Sequence, residues 1–429
     1  YFIVNPDGLR SRSMAKYEFV RDRIMQGDIY IARIREDLTF EVYNLFPDYI
    51  YPGKIRSVDI TVEGGSHEDK TLTVTLELHA LDGDKEGATL GLARVVSEVG
   101  TYFDMFLNPV NEYGERIEQS TRLRGNYALP KYVKAGSWFP NQIRLTDAAR
   151  NERYQRASDF GWHMHVDNPL EDVTPPEYVS GTLRMRSFVW AEDDRVQVIR
   201  VNWNVDEDTG LMKRRGGHHD GCAASINDAL PGTYSLFEYG NPPTSTSDEC
   251  NVDFLMPDYM PSSTYSTVRI LMEDVGWNRA SAWFTGEDGE ASPTINLVTA
   301  NPDTEPPDVD LNRIHVDAVP TNPEAPNGET KVTVTIWHRD NISGLSLVGM
   351  HLRDPQGGTH HYWLYPEDRH RLYPSRNPTA WQALERVIIL PPGSMPGTWG
   401  IAEITARDRA RNFESFNFVE IVHFDVDGG

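Results

Sequence analysis

Acidic residues crowd two places where the chain also turns rich in proline. One group is Asp167, Glu171 and Asp172, set around Asn168-Pro169 and Pro175-Pro176; the other is Asp303, Glu305, Asp308 and Asp310, around Asn301-Pro302 and Pro306-Pro307. Carboxylates gathered from neighbouring segments suit a hard divalent cation, since calcium takes about six to eight oxygen ligands. These seven residues are therefore candidate calcium ligands, set against the plainer reading of a solvated acidic linker. Their spacing forms no EF-hand loop. The turn Asp82-Gly83-Asp84-Lys85-Glu86 carries the same suggestion more weakly.

Other chemistry is thinner. Histidines are adjacent at His218-His219 and at His360-His361. On a strand, adjacent side chains face opposite ways and make poor joint ligands for one metal. Tyr362, Trp363, Tyr365 and Trp381 lie in a stretch with several arginines and prolines. Such a stretch could stack on sugar rings or anchor a protein, or could equally fold over its own core. Cys222 and Cys250 are the two cysteines, and a disulfide between them fits a protein of an oxidising compartment. No G-x-S-x-G elbow, phosphate loop, dinucleotide fingerprint or zinc-type spacing occurs, and no catalytic residue is indicated.

The elements that would position these residues repeat. Trp138 precedes Asp147 and Asn151, Tyr265 precedes Asp274 and Asn278, and Trp399 precedes Asp408 and Asn412. The offsets are the same each time, and the aromatics lie 127 and 134 residues apart (265 − 138 and 399 − 265). That period suits a whole domain. The two proline-rich junctions are themselves 133 residues apart (301 − 168). Paired prolines stiffen such joints. Segments such as TLTVTLELHA, VQVIRVNW and KVTVTIWH alternate apolar and polar residues, as half-buried strands do. In each repeat the aromatic should fill the core, and the Asp-to-Asn segment should turn the chain into a final strand.

The expectation is an all-β protein of three tandem β-sandwich domains, at 51–167, 168–301 and 302–429. A short α/β segment, 1–50, precedes them. In that segment a helix capped by Ser13 should run to Gly27, and a β-hairpin should turn at Arg35-Glu36-Asp37. It reads either as the tail of a preceding domain or as an element that docks on a neighbour.

The Asp-to-Asn motif resembles that of the bacterial immunoglobulin-like domains, whose D-x-x-G-N-like turn leads to the last strand. Here Arg150 and Arg411 stand where that pattern has glycine, and Gly276 sits one residue early. The resemblance covers all three repeats. It implies immunoglobulin-like sandwiches and a cell-surface, adhesive or structural role, or service as accessory modules of secreted enzymes.

Composition narrows the partners. With 64 Asp plus Glu against 41 Lys plus Arg, the net charge is −23, which repels nucleic acid. No stretch approaches the roughly 20 apolar residues of a membrane span. Tyr1 in place of methionine reads as a processed chain or a fragment. The reading is an extracellular structural or adhesive protein: a filament, surface-layer or stalk subunit that associates with itself or with another surface protein. The alternative is a carbohydrate- or protein-binding region of a larger secreted enzyme, with a glycan stacked on the aromatic stretch.

Overall fold

Strand-forming alternation is carried through into burial. In Lys70–Leu78, Leu72, Val74, Leu76 and Leu78 are buried while the residues between them are partly or fully exposed, and Thr330–Arg339 does the same. The computed structural model describes residues 2–3, 28–43, 48, 50–80, 87–156, 162–212, 221–230, 235–240, 248–284, 290–321, 328–367 and 372–425. Among these the protein is all-β, in several antiparallel sheets packed sandwich-fashion around apolar cores. No described helix is long and apolar enough to cross a membrane.

Contacts divide the chain into two compact units. One holds Tyr1–Tyr49, Tyr259–Pro261 and Thr299–Gly429; the other holds Ile50–Asp258 and Ser262–Val298. The second unit contains the first sequence repeat and the second apart from Tyr259–Pro261 and the residues from Thr299 onward. Its first repeat forms an eight-stranded sheet that folds back on itself, so Leu72, Val95, Leu107 and Trp138 share one core. Trp277, from the second repeat, joins that core against Phe103 and Tyr127. Cys222 and Cys250 form a disulfide with a Cα–Cα distance of 5.7 Å in the second repeat. The first unit carries the third repeat as a three-stranded and a five-stranded sheet.

The aromatic strands are built alike. Gly136–Thr146, Ser263–Glu273 and Gly397–Asp408 each bury their aromatic, at 0%, 1% and 3% exposure. Each also slips register three residues beyond it, at Asn141, Val268 and Ala402. One extra residue there bends the strand and increases its twist.

The N-terminal segment departs from expectation. The helix expected over 13–27 lies outside the described residues. The hairpin does not form: Asp28–Ile34 pairs with Val419–Asp425, Thr39–Val42 pairs with Gly397–Gly400, and a 3-10 turn at Glu36–Leu38 separates them. Arg35 forks onto Asp37 at 2.7 and 2.9 Å and donates to the Leu311 carbonyl, while Leu38 is fully buried. That turn sends the two strands to different partners on the third repeat. Ile34, Leu38, Phe40 and Val42 enter its core. Each contributes about 1.5–3 kcal/mol by leaving water.

Candidate cation centre

Every aromatic strand ends in the same Asp-to-Asn turn. Asn151, Asn278 and Asn412 each donate a backbone N–H and a side-chain Nδ2 to Asp147, Asp274 and Asp408, at 2.7–2.9 Å. The residue before each asparagine takes a left-handed backbone, with φ of 65° at Arg150, 68° at Trp277 and 79° at Arg411. This is the glycine position of the immunoglobulin-like pattern, filled here by residues that adopt that conformation at a cost of about 1–2 kcal/mol each. The same Nδ2 reaches a junction carbonyl: Ile50 at 3.2 Å, Asp172 at 3.0 Å and Asp303 at 3.2 Å. The turn thus clips each junction to the sandwich that follows it.

In the second and third repeats the clip gathers two further carboxylates. Asp172, Glu207 and Asp274 each offer an oxygen within 4.8 Å of the other two, and so do Asp303, Asp340 and Asp408. The positions correspond. Asp303 lies five residues before Asp308, which pairs with Arg339, and Asp340 follows Arg339. Asp172 lies five residues before Glu177, which pairs with Asp206, and Glu207 follows Asp206. In the first repeat the same count from the Ile55–Leu78 pair arrives at Ile50 and His79. Neither is a carboxylate, and both are exposed.

The third-repeat cluster is the more deeply buried, with Asp303 and Asp408 at 0% exposure and Asp340 at 4%. Asp303 accepts from the Ser343 N–H at 2.9 Å and Asp340 Oδ2 from the Gly344 N–H at 2.5 Å, so both acids hold the loop that follows Arg339. Asp340 Oδ1 is buried beside the Asp303 carboxyl and receives no N–H or hydroxyl donor among the described residues, so the two acids can pair only by sharing a proton or a cation. Among the described residues none of the three is paired with lysine or arginine, and their hydrogen-bond donors are all neutral. Burial and the neighbouring charge of Asp303 push Asp408 up to about 8, while the Asn412 hydrogen bonds oppose the rise. Burial likewise raises Asp340, with Asp303 adding to it. In the second repeat burial pushes Asp274 up to about 7, with the charges of Asp172 and Glu207 adding to it. Crowded, unpaired carboxylates of this kind lower their free energy either by taking up protons or by sharing a cation.

Of the seven acids singled out at the junctions, Asp172 and Asp303 stand in these clusters. Glu171 instead holds Lys134 at 2.8 Å, and Asp308 holds Arg339 at 2.8 Å. Glu305 accepts from Asn341, Asp310 accepts from the Asn312 N–H, and Asp167 is exposed. Asp274 and Asp408 read from sequence as turn residues, which they also are. Glu207 and Asp340 escaped notice. Their signal is an acid directly after the strand that pairs with the junction strand, three or four residues ahead of Gly210 or Gly344. The Asp82–Glu86 turn and His218-His219 lie outside the described residues.

The residues of the aromatic stretch have different surroundings. Tyr362 packs against the core while its strand neighbour Trp363 is 55% exposed, and Trp381 lies under the Arg339 guanidinium. Tyr365 is half-buried and its carbonyl accepts from Arg386. His360 and His361 do face opposite ways: His360 meets Asp354, and His361 meets His351. No protein-family model and no curated protein matches the chain.

Proposed function

We propose that this chain is an extracellular structural or adhesive protein, a filament, surface-layer or stalk subunit, whose immunoglobulin-like repeats are locked at their junctions by calcium. The observation that carries the reading is the duplication of one buried carboxylate triad at equivalent positions of two repeats. Asp172 and Asp303 come from the junctions themselves. An ion held there ties the linker to the sandwich that follows it. The donors are all oxygen, which selects a hard cation over zinc or copper. The three carboxylates would supply part of the shell of such an ion. The buried Asp340 Oδ1 takes no N–H or hydroxyl donor among the described residues and is open to a cation shared with Asp303. A disulfide and an excess of acidic residues accord with life outside the cell, where calcium is plentiful.

Thermal unfolding in calcium and in chelator tests the proposal. A ligand at 100 times its Kd stabilises a fold by about 2.7 kcal/mol, so calcium should raise the melting temperature by several degrees. Light scattering of the same samples should show ordered assemblies in calcium that are lost in chelator. Identical melting and scattering in both conditions would remove the reading.

A further inference from the structure

One strand of the third repeat comes from the wrong end of the sequence. In the first repeat Met164–Val166 flanks Gly136 to Trp138, and in the second Thr294–Leu297 flanks Ser263 to Ser266. Each of these flanking strands directly precedes the next junction. In the third repeat the same slot, Gly397 to Gly400, is filled by Thr39–Val42. The register is the same in all three. Opposite the core aromatic stand Met164, Ile295 and Phe40; two residues further along stand Val166, Leu297 and Val42.

The match continues past the strand. Six residues after Val166, Leu297 and Val42 come Asp172, Asp303 and Asp48. Their backbone N–H groups donate to Tyr132, Tyr259 and Gly393, each six residues before its core aromatic, at 2.8, 2.9 and 2.9 Å. Thr39–Val42 and Asp48 thus serve the third repeat as the last strand and junction aspartate of each earlier repeat serve their own. The third repeat's own chain, after Phe413–Asn417, continues as Val419–Asp425 to pair with Asp28–Ile34 instead.

We propose that this slot is a strand-exchange site between copies of the chain, in which Thr39–Val42 of one copy completes the third repeat of another. The contacts are the same whichever copy supplies the strand. Phe40 stacks on Trp399, Thr398 bonds Glu41, and Val42 is buried. The choice between copies is therefore set by concentration against the reach of the linker. In the first two repeats the flanking strand runs through a junction into the next sandwich. Residues 43–54 run from Val42 into the first repeat, so a strand supplied by a second copy makes the third repeat of one chain continue into the first repeat of the next. The partner is this same chain, joined head to tail by main-chain pairing. The inference rests on the structural-subunit reading and supplies its mode of assembly.

Two full-length variants with tags of different size test it: Glu41→Cys in one, Thr398→Cys in the other, the two being register partners. Refolded together at high concentration and oxidised, they should give a covalent pair holding one chain of each size. A chain carrying both substitutions should give a ladder of multimers. Mixed pairs absent while the double variant closes within single chains would overturn the exchange, and so would the absence of any cross-link at these positions. Calcium-induced melting shifts, recorded on the same samples, separate the two proposals. A calcium response without mixed pairs removes the exchange alone, and mixed pairs without a calcium response remove the cation reading alone.

Discussion

The first and third repeats share one turn and differ in what surrounds it. In both, an aspartate at the end of the aromatic strand accepts two hydrogen bonds from an asparagine four residues on, and the asparagine clips a junction carbonyl. Around Asp408 stand Asp303 and Asp340. Counted from the first strand pair, the positions around Asp147 are Ile50 and His79. Asp48, the match to Asp303 when counted from the preceding flanking strand, lies two residues before Ile50. The turn is therefore a structural device common to all the repeats. A cluster of three carboxylates arises only where the junction and the loop after the strand that pairs with the junction strand each add an acid.

Asp340 breaks the comparison most sharply. In Asp340→Asn the amide oxygen can keep the donors from Gly344 and Ile342 while the amide nitrogen faces Asp303. Without calcium the variant should melt higher than the parent, because a buried like-charge contact becomes a hydrogen bond. Its calcium binding in the third repeat should weaken by about 2–5 kcal/mol, the usual cost of removing one partner from a buried charge cluster. Melting curves in chelator and in calcium should thus move in opposite directions.

The raised acids make a pH prediction of the same kind. Burial pushes Asp408 up to about 8 and Asp274 up to about 7, above the ordinary carboxylate value of 3.8. The folded state therefore holds more protons than the unfolded chain between about pH 4 and 8. In chelator, stability should fall as pH rises through that window, and it should be recovered on acidification toward pH 5. Calcium replaces those protons, so its affinity should increase with pH and the loss should flatten in its presence.

Asp147→Ala sharpens the contrast from the other side. It removes the two hydrogen bonds from Asn151, at a cost of about 1–3 kcal/mol, and should leave the calcium-induced melting shift as large as in the parent. A smaller shift would mean that the first repeat also holds an ion.

Much of the fold was legible in the sequence because it is local. Period-2 alternation in Lys70–Leu78 and Thr330–Arg339, and the aromatic-to-Asn spacing, announce strands and turns within a few residues. The pairing of Thr39–Val42 with Gly397–Gly400 is not local. Arg35-Glu36-Asp37 between two strand-like runs looks like a hairpin turn, and only the third repeat's open slot decides otherwise. The site divided in the same way. Asp172 and Asp303 stood out beside prolines, whereas Glu207 and Asp340 follow ordinary strands and join the cluster through sheet register. Glu171 and Asp308 show the converse, since acids at a junction can be taken by a nearby lysine or arginine.

Calorimetric titration of calcium into the full chain and into Asp340→Asn tests the central claim most directly. On that claim the parent chain should take up one ion at each of the two carboxylate triads found among the described residues, and the variant should lose the one in the third repeat. No binding to the parent, or the same stoichiometry and affinity in the variant, would contradict it.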